Sequence, residues 1–470
     1  MFAAAFVLNG LAIACLRRKL IHMKQLSCFH YEDSLFLKRK NTLNPKCMVT
    51  YGEGLRNLER LILSAKKSIH MCAFALHLER IMPCGQSLAS IINRRAECGV
   101  LVHILMNSTC EYANLSPLQT RQQLHPSVHL YASKNPTHEF RTKLLNQTGY
   151  SFAHIKMCCV DLATMQIGCV DVDPWERLDY NVLNKNNFAW HEIAIEIQCT
   201  NEISEWITTL FQCGSFNVCL GVYPFPLVNG GPYEASVMCD IISTAKNSIY
   251  MEHQIISMGP SEDMSVQRIL ECIALKIAFV PHFQLIIITN TKQDDEYTAI
   301  SRHFSSLSLL STIYHLKDSV RRLMTKAGLM FNDNVYRKQV SYLELFCTGG
   351  QNLKTHSNIT IVDTSFAIRS SSNITSRSLG FNPCDTELGV VFENGVESLL
   401  HKLICLHCPL LEDKKPSITM FLKMVNSGLS HAKPVKIPNM PLSVIETLMS
   451  VSHLHAASGH CHGKMQLRQV

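Results

Sequence analysis

Two stretches of the chain repeat one pattern, and this pattern constrains the fold and the chemistry more than any other feature. The first runs from His154 to Asp161 (HIKMCCVD) and the second from His356 to Asp363 (HSNITIVD). In each, a histidine and a second polar residue two positions later precede an apolar run that ends at an aspartate. Residues two apart share one face of a strand, and a short apolar run is typical of a strand buried in a sheet. The sequence therefore predicts two buried strands, each with an imidazole at its start.

The landmarks around these stretches also recur in the same order. A helix-like pattern begins near Leu55, and the sequence AKKSI at Ala65 returns as AKNSI at Ala245. Strand-like segments that start at Glu192 and Glu387 follow the two motifs at nearly the same spacing. Landmarks repeated in one order indicate internal duplication. Because helices alternate with apolar strands, we predict an α/β protein built from two similar halves.

The boundaries of the halves follow from composition. We place the halves at 51–220 and 234–410, with a linker near 221–233 that is rich in Pro and Gly. Residues 1–50 precede them, and 411–470 form a C-terminal tail that we expect to be mobile. The tail ends in HLH and HCH clusters whose spacing matches no closed zinc site, so no metal is predicted.

Composition is typical of a globular, core-rich chain. Of its 470 residues, 47% are apolar and 17% are charged, which excludes a disordered chain. The net charge of +7 is spread without a long basic run; this suits anionic membrane surfaces and is not a nucleic-acid signature. The 20 cysteines lie mostly in apolar segments, which favours buried reduced thiols. Two N-x-S/T triplets fall in the second motif region, where a glycan would block the site, so we expect a cytosolic location.

The N-terminal residues 1–16 are apolar apart from Asn9 and Gly10, and three basic residues follow. As a helix this segment would be about 24 Å long, shorter than the roughly 30 Å of a bilayer core. It is either a membrane anchor that leaves the rest of the chain in the cytosol, or a core or interfacial segment.

Two histidines at one site suit phosphodiester chemistry. One imidazole attacks phosphorus to form a phosphohistidine, while the other protonates the leaving alcohol and then activates water. Lys156, beside His154, would neutralise the phosphoryl oxygens in the transition state. Glu192 and Glu387 are candidates to orient the imidazoles. This chemistry requires no metal and no cofactor.

These features resemble the phospholipase D superfamily, whose motif HxKxxxxD occurs twice, and in particular the catalytic core of eukaryotic-type phospholipases D. The likeness runs from about residue 51 to about residue 405. Besides the two motifs, the stretches that carry it are GCVD at 168–171, WERLD at 175–179, WHE at 190–192, IYMEHQ at 249–254, SSSN at 370–373, RSLG at 377–380 and DTEL at 385–388.

The resemblance implies an α/β/α sandwich of two pseudo-symmetric halves that share one active site. It implies that one motif histidine is the nucleophile and the other the general acid, with His154 as the first choice for nucleophile. Asp161 and Asp363 are expected to be structural ion-pair partners. The implied site residues are the motif residues His154, Lys156, Asp161, His356, Asn358 and Asp363, the orienting carboxylates Glu192 and Glu387, and the phosphate-binding residues Lys156, Asn358 and Asn373.

The second motif departs from the family pattern, because Asn358 stands where the family has lysine. Asparagine donates a hydrogen bond but supplies no positive charge; Lys354, two residues before His356, is a candidate replacement. Two functions therefore stay open. The first is hydrolysis of phosphatidylcholine to phosphatidic acid at the cytoplasmic face of a membrane, and the second is phospholipid binding by a catalytically impaired relative. A nuclease is a weaker third hypothesis, and no nucleic-acid partner is expected, because the chain has no basic groove with interleaved aromatic residues.

Overall fold

The computed structural model describes residues 43–436 with internal gaps, together with 443–445 and 465–469. The gaps fall at residues 75, 108–116, 135–153, 173–189, 213–214, 217–222, 261, 292–298, 348–349, 351 and 382–384. The described residues belong to one compact unit. The apolar N-terminal segment 1–16, the WERLD stretch and the histidine clusters of the tail lie outside them. Within the described part, no helix combines the length and the hydropathy needed to cross a membrane.

Helices and strands alternate along most of the described chain. The strands are β1 (Lys46–Met48), β2 (Ser68–Ala73), β3 (Leu101–Asn107), β4 (His129–Lys134), β5 (Met157–Val160), β6 (Thr164–Ile167), β7 (Trp190–His191), β8 (Ala194–Gln198), β9 (Ser215–Phe216), β10 (Leu227–Val228), β11 (Ser248–His253), β12 (Gln284–Thr289), β13 (Val340–Phe346), β14 (Asn352–Thr355), β15 (Ile359–Val362), β16 (Phe366–Ser370), β17 (Gly389–Phe392), β18 (Ala432–Pro434) and β19 (Met465–Gln469). The helices are α1 (Tyr51–Ser64), α2 (Leu88–Glu97), α3 (Pro117–Gln122), α4 (Asn201–Gln212), α5 (Gly231–Ser243), α6 (Met264–Phe279), α7 (Ala299–Lys326), α8 (Asp333–Gln339), α9 (Ser376–Leu379), α10 (Val396–His407) and α11 (Ile418–Asn426).

The strands form two sheets that share one strand order. The first contains β1-β8-β6-β5-β2-β3-β4 and the second contains β10-β17-β16-β15-β11-β12-β13. In both orders, the last three strands run parallel to one another. Every other pair of adjacent strands in these orders is antiparallel. The motif strands β5 and β15 occupy the same position and are buried along their whole length. This shared order confirms the predicted duplicated α/β architecture.

One strand crosses between the sheets. Along the chain, β7 comes just before β8, which belongs to the first sheet. β7 nevertheless pairs in parallel with β14, near the edge of the second sheet, with Trp190 opposite Lys354 and His191 opposite Thr355. The first half therefore contributes backbone to the sheet of the second half. This crossing places Glu192, the residue after β7, between the two halves.

Two segments that the sequence leaves without strands contain short ones. The predicted mobile tail is in part ordered, because β18 pairs with β13 and β19 pairs with β4. The predicted linker at 221–233 contains β10, which pairs with β17 of the second sheet. The sequence pattern missed these strands because they are short and have little periodicity; they form by pairing with longer strands already present.

A hydrophobic core lies between the inner faces of the two sheets. Side chains from both sheets meet there with apolar residues of α4, α10 and α11. A second cluster packs α1 and α2 onto the other face of the first sheet, and α5 and α6 bury apolar faces of their own. Each fully buried aliphatic side chain contributes about 1.5–3 kcal/mol, so this shared core opposes separation of the halves. The cysteines in the described part are free thiols, and most of them are buried or half-buried, whereas Cys84 and Cys98 are exposed.

The motif aspartates hold turns at the far ends of the motif strands. The Asp161 carboxylate accepts hydrogen bonds from three successive backbone N–H groups, residues 66–68, at 2.6–3.1 Å. Asp363 does the same for residues 246–248 at 2.8–2.9 Å. Each aspartate follows its strand, whereas the motif histidine precedes it. The expected structural role is thus filled by backbone amides rather than by an ion-pair partner, and these amides belong to the repeated segments AKKSI and AKNSI.

We expect Asp363→Ala to lower the free energy of unfolding by about 2 kcal/mol, because three backbone donors lose a charged acceptor and water replaces it only in part. Thermal and urea unfolding followed by circular dichroism would measure the change. Asp318→Ala is the matched control, since Asp318 forms exposed ion pairs with Arg321 and Arg322 that contribute less than about 1 kcal/mol. Equal losses in the two variants would contradict the anchoring role.

Candidate active site

The first motif histidine is paired with a carboxylate of the second half. His154 precedes β5, and its Nδ1 lies 2.8 Å from Oε2 of Glu387, which precedes β17. The backbone N–H of His154 donates to the carbonyl of Thr386 at 2.9 Å. Because Nδ1 is occupied by the carboxylate, Nε2 is the atom that can act on phosphorus.

The second motif histidine has the reciprocal arrangement. His356 Nδ1 lies 3.5 Å from Oε2 of Glu192, and the backbone N–H of His356 donates to the carbonyl of His191 at 2.8 Å. Each imidazole therefore meets the carboxylate of the opposite half. The sequence predicted a carboxylate behind each histidine, but not that the two halves exchange them.

The two carboxylates have different surroundings. Glu387 is fully buried and accepts hydrogen bonds from the hydroxyls of Ser371 at 2.6 Å and Ser378 at 2.7 Å. Burial raises its pKa, but His154, Lys156 and the Ser371 hydroxyl outweigh burial and lower the pKa to about 2. Glu387 is therefore an anion at neutral pH, and it can stabilise positive charge on the imidazole beside it.

The other carboxylate, Glu192, is held by the second half as well as by its own. It accepts a hydrogen bond from the backbone of Cys169 at 3.1 Å, and Nη2 of the buried Arg369 lies 3.8 Å away. The Arg369 guanidinium packs on Gly168, where an added Cβ would lie 2.3 Å from Nη2 and 2.6 Å from Cζ. Only glycine leaves room for this contact, and Gly168 also has a φ of +87°. Sequence reasoning missed Arg369, because the matching position in the first motif region is Ile167.

An aromatic ring packs against each motif histidine. The Phe74 ring meets His154 edge-on at a centroid distance of 5.3 Å, and the Trp190 ring lies 4.7 Å from that of His356. A lysine ammonium faces each ring: Lys156 is 5.4 Å from the Phe74 centroid and Lys354 is 4.2 Å from the Trp190 centroid. Lys354, the candidate replacement for the missing motif lysine, is thus next to the ring that contacts His356.

Lys156 is buried with an acidic partner. Its Nζ lies 3.6 Å from Oδ2 of Asp171 and donates to the carbonyl of His154 at 3.3 Å. The other oxygen of Asp171 accepts the backbone N–H of Phe74 at 2.7 Å. The structure therefore places the Lys156 side chain between the backbone carbonyl of His154 and the Asp171 carboxylate.

The corresponding amides of the second half bind backbone. Asn358 accepts the N–H of Gln254 at 2.9 Å through Oδ1 and donates to the carbonyl of Ser371 at 3.1 Å through Nδ2. Its φ is +41°, a conformation that asparagine tolerates better than lysine. Asn373 accepts the N–H of Ile255 at 3.2 Å. Phosphate binding by Asn358 and Asn373 stays a prediction, and both side chains already support the loop after β11.

Sequence reasoning also missed a second buried carboxylate near Glu387. Glu234, on α5, is 1% exposed and accepts the N–H of Gly230 at 2.8 Å and the hydroxyl of Ser372 at 3.0 Å. Burial raises the pKa of Glu234 to about 7, and the nearby negative charge of Glu387 adds to the rise. The helical pattern of α5 gives no signal for this residue, since a single glutamate in a helix is usually exposed.

The Glu234 carboxyl predicts a pH-dependent stability. The pKa of Glu234 is about 7 in the folded protein, above the ordinary 4.5. Between these two pH values the folded protein keeps a proton that the unfolded chain releases. The free energy of unfolding therefore falls as pH rises from about 4.5 to 7. Glu234→Gln removes this loss and should stabilise the protein at pH 8 by about 3 kcal/mol, with a much smaller gain at pH 5. Urea unfolding at both pH values measures the difference; an effect that does not change with pH would refute the assignment.

Comparisons with known proteins bear on the fold. No protein-family model matches the chain, and no curated protein matches it either. Among solved structures, a phosphatidylserine synthase from Haemophilus influenzae Rd KW20 matches with a TM-score of 0.51 and 12% identity, over 88% of this chain and 94% of that one. At this identity the match concerns the fold alone, and it spans nearly the whole length of both chains.

Two shorter proteins match only about one third of the chain. Nuc of Salmonella typhimurium, a phospholipase D family member, covers 36% of this chain and 93% of its own at 18% identity and a TM-score of 0.24. NucT from Helicobacter pylori covers 36% and 94% at 15% identity and a TM-score of 0.26. Their scores are too low to support an argument. From the full-length structural match we conclude that this chain shares the fold of that synthase, and its two ordered motifs resemble those of the phospholipase D superfamily.

Proposed function

We propose that this protein is a phosphodiesterase that hydrolyses the head group of a phospholipid, such as phosphatidylcholine, through a phosphohistidine intermediate. The observation that carries the proposal is the crossed pair of histidines, each with a buried carboxylate at Nδ1. Such pairs prepare two imidazoles for successive nucleophilic and acid–base steps. A phosphatidylserine synthase has the same fold, which is compatible with a phospholipid substrate.

The steps follow from the two pairs. Nε2 of His154 attacks phosphorus, the bond from phosphorus to the head-group oxygen breaks, and His356 gives its proton to the departing alcohol. His356 then takes a proton from water, the resulting hydroxide attacks phosphorus, and the bond to His154 breaks to release phosphatidic acid. Glu387 and Glu192 stabilise the imidazolium beside them at each stage. The two histidines can exchange roles, with His356 as nucleophile and His154 as general acid, without changing which bonds break or how many protons move.

Charge at the phosphate is supplied unequally by the halves. Lys156 lies beside His154 and can neutralise phosphoryl oxygens in the transition state. Asn358 carries no charge, and its amide is already bonded to backbone on both sides. This asymmetry favours the second candidate function, phospholipid binding with little turnover, and the test must separate the two.

We propose that the chain acts on phospholipid at the cytoplasmic face of a membrane. The positive net charge of the chain supports contact with anionic lipid. Flotation with vesicles that contain phosphatidylserine, compared with vesicles of phosphatidylcholine alone, tests this contact; equal recovery with both would argue against a charge-driven contribution.

The decisive measurement is phosphatidic acid release from phosphatidylcholine vesicles, with a primary alcohol added to capture the intermediate as a phosphatidyl alcohol. We expect His154→Ala to lower the rate about a thousandfold or more, because the nucleophile is lost. Asn358→Lys should raise it about tenfold, since it adds a charge but loses two hydrogen bonds and strains a positive φ. His401→Ala, on α10 and paired with Glu397, is the control and should retain wild-type activity.

The outcomes separate the candidate functions. A wild type that releases no phosphatidic acid, with activity restored by Asn358→Lys, would reject the hydrolase and support the binding protein. Activity that survives His154→Ala and His356→Ala would refute the mechanism. Cleavage of a single-stranded oligonucleotide without cleavage of lipid would assign the site to a nuclease.

A further inference from the structure

A buried carboxylate outside the motifs lies at the centre of a hydrogen-bond network. Glu252, on β11, is 0% exposed. Its Oε1 accepts the Tyr250 hydroxyl and, at 2.6 Å, Nε2 of His407. Its Oε2 accepts Nε2 of His191 at 2.7 Å and the Ser357 hydroxyl at 2.6 Å. Each carboxylate oxygen thus accepts two hydrogen bonds, which suits a buried anion.

The donors come from separate parts of the chain. His191 belongs to the crossing strand β7, Ser357 to the second motif, and His407 to the end of α10. Burial raises the pKa of Glu252, but the charge and hydrogen bonds of His191 and His407 outweigh burial and hold the pKa well below its ordinary value. One negative charge therefore joins the first half, the second motif and a core helix.

A metal site is the competing interpretation, because His191, Glu252 and His407 are the one group of three potential metal ligands in the described part of the chain. Two observations disfavour it. Each Glu252 oxygen already receives one hydroxyl and one imidazole N–H. The Nδ1 atom of His191 is buried without a hydrogen-bond partner, whereas a metal-bound imidazole normally donates its second N–H. The hydrogen-bonded network explains the geometry better.

The network reaches His356 from two sides. Ser357, bonded to Glu252, is the next residue in the chain. On the other side, His191 is bonded to Glu252 through its ring, and its backbone carbonyl accepts the His356 N–H at 2.8 Å. The next residue in the chain is Glu192, whose carboxylate faces His356 Nδ1. Glu252 therefore fixes the backbone that carries each member of the His356–Glu192 pair.

Among the described residues of the first half, no counterpart of this network occurs. β2 and β11 both begin at a serine held by a motif aspartate, and by this alignment Cys72 occupies the position of Glu252. Ile155 stands where the second motif has Ser357. The His154–Glu387 pair is supported by serine hydroxyls on Glu387 instead. Glu252 thus serves the one motif that lacks the lysine.

We propose that Glu252 is a positioning residue that holds His356 and Glu192 in register for proton transfer, acting through Ser357 and His191. Its consequence for rate rests on the proposed phosphodiester chemistry, in which His356 gives and takes the proton. The arrangement itself does not depend on which phosphodiester is the substrate.

Two variants form a matched test, because Ser357→Ala and Tyr250→Phe each remove one buried hydroxyl from the same carboxylate. Only Ser357 is adjacent to His356. With bis(4-nitrophenyl) phosphate as the probe, we expect Ser357→Ala to lower kcat about tenfold with KM changed less than about twofold. Tyr250→Phe should lower kcat by less than about threefold, and thermal unfolding of both variants would show comparable losses of stability.

An activity-independent readout accompanies the kinetics. In protein labelled with 13C at the histidine ring, the His356 signal is identified by its loss in His356→Gln, and the Trp190 ring at 4.7 Å makes its chemical shift sensitive to orientation. We expect Ser357→Ala to move this signal and Tyr250→Phe to leave it nearly in place. Equal displacement in both variants, or none in Ser357→Ala, would overturn the positioning role.

The two readouts keep the hypotheses distinct. A wild type that cleaves no phosphodiester, with the His356 signal moved by Ser357→Ala alone, would reject the proposed function and support the positioning role. If the wild type cleaves the phosphodiester but Ser357→Ala does not move the His356 signal selectively, the proposed function is supported and the positioning role is rejected.

Discussion

The exchange of carboxylates between the halves is the interaction on which the site depends. His154 uses Glu387, and His356 uses Glu192, so neither motif histidine is paired with a carboxylate of its own half. The backbone repeats the exchange: His154 binds the carbonyl of Thr386, and His356 binds that of His191. A pair built across an interface keeps its geometry only while the interface is packed. The stability of the shared core and the integrity of the site are therefore coupled.

The crossing also explains several features that are otherwise unrelated. β7 leaves its own sheet to pair with β14, which delivers Glu192 to the second motif. Arg369 reaches in the opposite direction and packs on Gly168. These contacts bury charge between the halves, and buried charge is tolerated only when it is paired and hydrogen-bonded. Glu252 satisfies this condition with four donors, whereas burial favours the neutral form of Glu234 by raising its pKa to about 7.

The duplication left room for the halves to diverge. The turns held by Asp161 and Asp363 are nearly identical, because a strand entering the sheet needs the same backbone donors satisfied in both halves. Around the histidines the symmetry fails: the first motif has a buried lysine, whereas the second has an asparagine bonded to backbone and a carboxylate network behind it.

By itself the sequence determined the two motif strands, their duplication and the α/β class, and it named the candidate site residues, because periodicity and repeated spacing act locally along the chain. Tertiary structure decided which carboxylate meets which imidazole, since residues far apart in sequence meet only when two sheets pack. It also decided the hydrogen bonds of Asn358, a predicted phosphate ligand, whose side-chain amide is bonded to the backbone of Gln254 and Ser371. Arg369 and Glu234 carry no local signal, and the IYMEHQ stretch marks Glu252 without showing its partners, because burial and partners belong to the fold and not to a stretch of sequence.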